Sequence, residues 1–165
     1  MKVVIREYKD SDRQFLVRSL EGLVDYLAQL DPIKRTRRLP AFGRNYTNML
    51  LNKVKRQNGI VFIADVDGNA VGCIAGVVQK QSAEDLLHYF PSKTSEILEL
   101  FVQPKYRGKN IGTLLMNRIE KYFQNSGCDI LKTRVFVPNK GGYEFYKKLG
   151  FKDRGISLIK ELSIV

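Results

Sequence analysis

The segment EILELFVQPKYRGKNIGTLLMNRIEKYF, residues 96–123, limits the possible folds more than any other part of the chain. Its first seven residues are apolar and β-prone, Pro104 closes them, and a short basic turn leads into a run with helical period. Ile111, Leu114, Leu115, Ile119, Tyr122 and Phe123 share one helix face, and Gly127 stands just beyond the expected end near Asn125. Another β-rich run, DILKTRVFVP, follows. A strand, a helix and a strand so closely spaced predict a right-handed parallel crossover over residues 96–137.

The turn inside this unit has its own chemistry. The first turn of a helix leaves backbone N–H groups unpaired and carries partial positive charge, so an anion placed there gains several charge-assisted hydrogen bonds. Lys105, Arg107 and Lys109 add cationic surroundings, while Gly108 and Gly112 remove side chains where a bulky anion must approach the backbone. This is not a P-loop, because no Gly-Lys-Ser/Thr follows a first glycine at the required distance. Asn110 occupies a position that such a turn ordinarily gives to glycine. Asparagine is the non-glycine residue best able to take a left-handed backbone conformation.

Around this core unit the chain alternates readable elements. KVVIREY, residues 2–8, predicts a strand, and Ser11 with Gln14 has the spacing of a reciprocal helix cap. Phe15, Leu16, Leu20, Leu23, Val24 and Leu27 then predict a helix of about four turns. Tyr46, Met49, Leu50 and Val54 mark a second helix ending before Asn58-Gly59. Two β-rich runs flank Asp67-Gly68-Asn69, which is turn chemistry for an antiparallel hairpin. Residues 80–95 are polar and predict a short helix or loop; GGYEFYKKLG predicts a short helix stopped at Gly150, and residues 151–162 one or two terminal strands. The order β-α-α-β-β-β-α-β-α-β predicts an α/β protein with a central mixed, mostly antiparallel sheet of six to seven strands and about four flanking helices. One domain spanning residues 1–165 is expected.

Charge and residue usage narrow the function classes. The chain carries 28 Lys and Arg against 17 Asp and Glu, and eight of those bases lie between Pro32 and Ala64 with no acid among them. Such a face attracts polyanions: nucleic acid, a phosphorylated cofactor or an acidic substrate. No aromatic-plus-basic pattern of a known RNA-binding motif accompanies it. Cys73 and Cys128 are far apart and His88 is the single histidine, so neither a Cys/His metal site nor a histidine-based triad is expected. No apolar run approaches the roughly 20 residues of a membrane span. MKVVIREYKD lacks the apolar core of a secretory signal, so a cytoplasmic protein is expected.

Two strings taken together carry a family resemblance. Val102-Gln103-Pro104-Lys105-Tyr106-Arg107-Gly108-Lys109-Asn110-Ile111-Gly112 and the downstream Asn139-Lys140-Gly141-Gly142-Tyr143-Glu144-Phe145-Tyr146-Lys147-Lys148-Leu149-Gly150-Phe151 stand in the order and spacing of the GCN5-related N-acetyltransferase (GNAT) superfamily. The chain therefore resembles that superfamily over essentially its whole length. The resemblance implies the fold of that family, acetyl-CoA as donor and an amine as acceptor. It implies that Arg107, Gly108, Lys109, Asn110, Ile111, Gly112 and Thr113 hold the pyrophosphate. Leu100, Phe101 and Val102 would meet the pantetheine arm as a further strand would, in a cleft left where two parallel strands part. Asn139 would touch the cofactor from the opposite strand end, and Tyr146 would lie by the thioester sulfur as proton donor. Glu96 or Glu99 would serve as base. On a regular strand these two face opposite sides, whereas a bulge between them would bring them to one.

The acceptor side implied by the resemblance is residues 28–45 and 80–95. The basic character of the first stretch repels polycations, so an anionic amine or an amine on an acidic peptide is expected. Two other readings stay open on sequence alone: a basic nucleic-acid-binding module, and a GNAT-like protein that binds acyl-CoA without turnover.

Overall fold

The computed structural model describes residues 2–162. Strands β1 (Val3–Glu7), β2 (Ile60–Val66), β3 (Asn69–Gln79), β4 (Thr94–Val102) and β5 (Ile130–Thr133) form one sheet in the order β1-β2-β3-β4-β5. The first three pairings are antiparallel and the β4–β5 pairing is parallel. Helices α1 (Arg13–Leu30), α2 (Phe42–Arg56), α3 (Ile111–Asn125) and α4 (Lys140–Lys148) complete the architecture. The fold is the expected mixed α/β one, with five strands among the described residues instead of six to seven.

Strand alternation sorts the core into two layers. Val61, Ile63, Cys73 and Ala75 point to one face and pack under Leu16, Leu20 and Leu50 of α1 and α2. Phe62, Ala64, Ile74 and Ile97 point to the other and meet Ile111, Leu115, Met116, Ile119 and Phe123 of α3. Because both faces are covered, β2 is almost continuously buried, which is why its sequence is apolar without alternation. Full burial of each large side chain contributes about 1.5–3 kcal/mol.

Close backbone contacts explain the glycines of β3. A Cβ at Gly76 would lie 2.9 Å from the Glu96 carbonyl oxygen and 2.9 Å from the Phe123 ring, so α3 packs directly over bare backbone there. The β2–β3 hairpin turns on Asp67 and Gly68, both with positive φ (51° and 82°), as the sequence chemistry predicts.

Two local expectations fail for identifiable reasons. Helix α1 has 18 residues, longer than the predicted four turns, and starts after a short 3-10 turn at Asp10–Asp12 with no side-chain cap on its N-terminus. The Ser11/Gln14 cap does not form: Asp12 instead accepts from the Lys9 N–H at 2.8 Å and from both terminal nitrogens of Arg6 at 2.7 and 2.8 Å. The second correction concerns the C-terminal side. Strand β5 covers only Ile130–Thr133 of the predicted run, and residues 151–162 form no strand. A strand needs a neighbour to take its N–H and C=O groups, and this segment has no ladder partner among the described residues.

Candidate active site

The site grows from the way β4 is paired. Ala75 pairs with Glu99 and Gly76 with Ile97, leaving Leu98 as an extra residue in β4. This bulge resets the alternation. Glu96 opposes Val77 and Glu99 opposes Ala75, both on the α1–α2 face, so the two carboxylates share one side of the sheet.

The same strand then loses its parallel neighbour. Strand β5 pairs with β4 from Thr94/Ile130 to Ile97/Thr133 and no further, while β4 continues to Val102. Gln103 N–H donates to the Val71 carbonyl at 2.9 Å, which fixes the phase of the antiparallel ladder with β3. Every second residue is directed to β3; Leu100 and Val102 therefore direct their N–H and C=O groups into the gap that β5 has left. The Arg107 Nε donates to the Val102 carbonyl at 3.0 Å from that side. Phe101 differs from its neighbours, since its backbone is directed to β3 and its ring lies 3.7 Å from the Cβ position of Gly22 in α1.

At the end of β4 a 3-10 turn, Pro104–Tyr106, delivers the chain to α3. Asn110 is the residue before the helix and has φ 62° and ψ 7°, the left-handed conformation expected for it. Gly108 also has positive φ, 72°, with open space where a side chain would stand. The first helical bond with the turn runs from Leu114 N–H to the Asn110 carbonyl, so the N–H groups of Ile111, Gly112 and Thr113 precede the helical ladder. No side chain caps them. Lys105 and Lys109 lie beside this end, both over the Tyr106 ring at 5.0 and 5.3 Å. Gly112 has an additional reason for lacking a side chain: its Cβ position is 3.3 Å from the Phe145 ring, so it also lets α4 pack on α3.

Helix α4 forms the opposite wall. Asn139 caps it by accepting from Gly142 N–H at 3.1 Å. Tyr146 lies inside this wall, its ring set edge-on between Phe145 and Phe151 at 5.3 Å from each. Burial pushes its phenol above the usual tyrosine range; the Thr133 side chain opposes that rise and the charge of Glu99 adds to it.

Glu99 is itself held by a residue the sequence reading assigned only to a helical core stripe. The Tyr46 hydroxyl of α2 donates to Glu99 Oε1, and the Tyr46 ring stacks on Phe42 at 5.2 Å. Burial raises the Glu99 carboxyl above its ordinary value, and the Tyr46 hydrogen bond pulls it part of the way back. Burial and the adjacent carboxylate also raise the Tyr46 phenol. Glu96 is buried as well, accepting from Gln79 Nε2, with Arg134 Nε at 3.6 Å. Cys73, buried beneath the site, has its thiol pushed up to about 12, which makes it inert.

Tyr26 of α1 is a second residue missed by pattern reading. Its hydroxyl is 3.4 Å from Asn139 Oδ1 and its ring lies 5.8 Å from the Arg107 guanidinium, so it bridges the basic turn and the α4 cap. Nothing in its sequence neighbourhood, between Val24 and Leu27, sets it apart from the apolar stripe. Among the described residues no group of three or more His, Cys, Asp or Glu side chains is arranged to hold a metal ion.

A strand with open backbone leading to an uncapped helix N-terminus has the chemistry to accept an extended, anionic ligand along a sheet. The chain belongs to the acetyltransferase (GNAT) family, whose family model matches residues 25–151. It is 35% identical over 103 residues to an uncharacterized N-acetyltransferase of Methanocaldococcus jannaschii, covering 62% of this chain and 43% of that protein, so the match spans less than half of that relative's length. A thialysine N-epsilon-acetyltransferase of Bos taurus is 26% identical over 160 residues, covering 92% of this chain and 85% of that protein. Among solved structures, AAC(6')-Iy in complex with a bisubstrate analogue of coenzyme A superposes with a TM-score of 0.68 at 17% identity, covering 99% of this chain and 100% of the other. The family is one of acetyltransferases, and both relatives bear N-acetyltransferase names.

Proposed function

We propose that residues 1–165 form one domain that transfers the acetyl group of acetyl-CoA to a primary amine, by direct attack in a ternary complex. The observation that carries this reading is the parting of β4 from β5 directly before an uncapped helix whose leading residue, Asn110, is left-handed. The open N–H groups of Ile111, Gly112 and Thr113, with Lys109 beside them, suit a pyrophosphate. Leu100 and Val102 offer backbone partners for the amides of a pantetheine arm, and Arg107 occupies the Val102 carbonyl until one arrives. Bound acetyl-CoA would supply an activated acetyl group.

The remaining roles belong to the chain's own side chains. An ammonium acceptor must lose a proton before it can attack, and Glu99, raised by burial toward the working pH, is the base, directly or through water. Tyr146, kept protonated by its own raised value, gives a proton to the departing sulfur. Tyr46 orients Glu99 and limits its rise.

The acceptor we infer is an amine that also bears a carboxylate or phosphate. The amine meets Glu99, and the anionic end meets the connection between α1 and α2, where Lys34, Arg35 and Arg37 are exposed. The named acceptor of the bovine relative, a thialysine side-chain amine, is of this kind: an amino acid has both groups. A panel of amines with purified protein, read by thiol release, tests the proposal. Anionic amines should outperform spermidine; the reverse order would sink the acceptor assignment. Acetyl-CoA raising the melting temperature with no thiol release from any amine would mean binding without turnover. A melting temperature unmoved by acetyl-CoA would overturn the donor assignment and leave the basic face to nucleic acid.

A further inference from the structure

Helix α2 shows solvent a face of a single chemical kind. With 3.6 residues per turn, its inward half is Gly43, Tyr46, Thr47, Leu50 and Val54, the side turned to α1 and the sheet. The outward half runs about 18 Å from Arg44 to Arg56. It carries four exposed bases, Arg44, Lys53, Lys55 and Arg56, and the whole helix contains no acid. Among the bases stand three exposed asparagines, Asn45, Asn48 and Asn52, and a single exposed apolar residue, Met49. Arg13 of α1 widens the face by donating to Asn48 Oδ1.

The needs of the helix do not explain this composition. A solvent-facing helix gains from a glutamate placed four residues before a lysine, and α2 has no such pair. The helix dipole accounts for Lys53, Lys55 and Arg56 in the last turn but disfavours Arg44 in the first. Asparagine is a weak helix former, so three of them at exposed positions weaken the element that carries them. Nor are the bases neutralised from outside. Among the described residues the ion pairs engage Arg6, Arg38, Arg134 and Lys147, and the α1 acids Glu21 and Asp25 are held by Arg38 at 3.9 and 2.8 Å.

We propose that the outward face of α2 is a docking surface for duplex DNA, a function additional to acetyl transfer. Unpaired guanidinium and ammonium groups suit phosphates, and asparagine amides both donate and accept at base edges, the two-bond pairing with adenine included. Carboxylates only accept, so an acidic protein surface would leave the asparagine carbonyls without donors. Single strands are held by stacking on aromatic side chains, and this face has none. The major groove of B-form DNA, about 12 Å wide, admits an α-helix, whereas that of duplex RNA is too narrow. The chain's charge of +11 attracts the polyanion from a distance. Tyr46, the α2 residue that reaches Glu99, belongs to the inward half, so the DNA face and the acetyl-transfer site lie on different sides of the helix.

Fluorescence anisotropy of a labelled DNA duplex of about 20 base pairs, titrated with the full chain at roughly 50 to 200 mM salt, tests the proposal. Four phosphate contacts give a slope of log K against log salt of about −3.6. The double variant Arg44→Gln, Lys55→Gln should make that slope shallower by about 1.8, whereas Lys121→Gln, Lys152→Gln, which removes the same charge from exposed sites elsewhere, should leave it unchanged. Asn45→Ala, Asn52→Ala should weaken binding about 2- to 10-fold per side chain at every salt concentration, with the slope kept. Its melting temperature should hold or rise, because alanine is the better helix former; a fall would give the asparagines a structural role and overturn their part in docking. No binding near 50 mM salt, or a slope that the α2 and control variants change equally, would overturn the proposal. So would a polyglutamate chain that displaces the duplex at equal charge concentration, since the face would then serve an acidic protein.

Discussion

The Tyr46 hydroxyl donates a hydrogen bond to Glu99 Oε1, joining α2 to the edge of the β4–β5 cleft across 53 residues of sequence. The contact favours the ionised carboxylate, against the burial that disfavours it. Burial is the larger influence, and the contact offsets part of the rise it causes.

That arrangement makes Tyr46→Phe a pH variant. Glu99 acts as a base only when ionised, so the rate falls as pH drops through its pKa. Removing the donor raises that pKa further, and the acid limb of kcat/KM should move to higher pH with the alkaline rate retained. Rate measurements from pH 5 to 9 check the direction; a limb that stays in place or moves down would remove Tyr46 from this role.

Glu99→Gln should lower kcat by roughly 10²- to 10⁴-fold, the usual contribution of a general base. Its stability should move the other way. A buried carboxyl whose pKa is raised on folding contributes stability that is present below its unfolded value and lost as pH rises through the folded one. Neutral glutamine keeps the Tyr46 contact without the buried charge. Thermal unfolding should therefore show a gain for the variant at pH 8 that disappears near pH 4.

Tyr146→Phe should reduce kcat roughly 10²- to 10⁴-fold while leaving the KM for acetyl-CoA within a few-fold, because the ring keeps its packing between Phe145 and Phe151. Single-turnover thiol release separates the chemical step from binding. A variant with full kcat would show that this phenol only packs α4 on the sheet.

Asn110→Gly and Asn110→Val probe the left-handed residue before α3. Glycine adopts φ near 62° freely and should keep or tighten coenzyme A binding; a β-branched side chain there costs roughly 1–3 kcal/mol, about 5- to 150-fold if all of it falls on affinity. Equal binding of both variants by calorimetry would mean that this turn does not cradle the ligand.

Arg6→Ala should cost about 2 kcal/mol. Arg6 spans Asp12 and Asp65 at 2.7 and 3.2 Å, and deleting one partner of a buried pair costs about 3–5 kcal/mol, reduced here because Arg6 is 28% exposed and Asp12 keeps the Lys9 N–H. Arg6 holds the Asp12 carboxyl below its ordinary value of 3.8, so this stability is present above that pH and lost as pH falls through the folded pKa. The gap between variant and wild type, read by denaturant unfolding, should be full at pH 7 and shrink below pH 3.8.

Much of this protein was determined locally. The turn before α3 needs an αL residue whatever surrounds it, and Asn110 supplies one; Asp67-Gly68 makes a hairpin for the same kind of reason. Helical periods located α2 and α3 because an apolar stripe must be buried whichever surface receives it. Local reasoning went astray where neighbouring groups offered another arrangement: the cap predicted at Ser11 does not form, and Arg6 and Lys9 engage Asp12.

What lies between elements was decided only by tertiary structure. Glu96 and Glu99 share a face because Leu98 has no partner in β3, and the spacing of two residues on one strand cannot reveal a mismatch with another. Tyr46 reads as one more apolar position in a stripe until its hydroxyl reaches a strand residue 53 positions later. The C-terminal run has the composition of a strand but remains unpaired, because a strand requires an available edge in space as well as suitable residues. Backbone chemistry is written residue by residue and can be read that way. Register, strand separation and cross-element hydrogen bonds are properties of pairs, and only folding brings the pairs together.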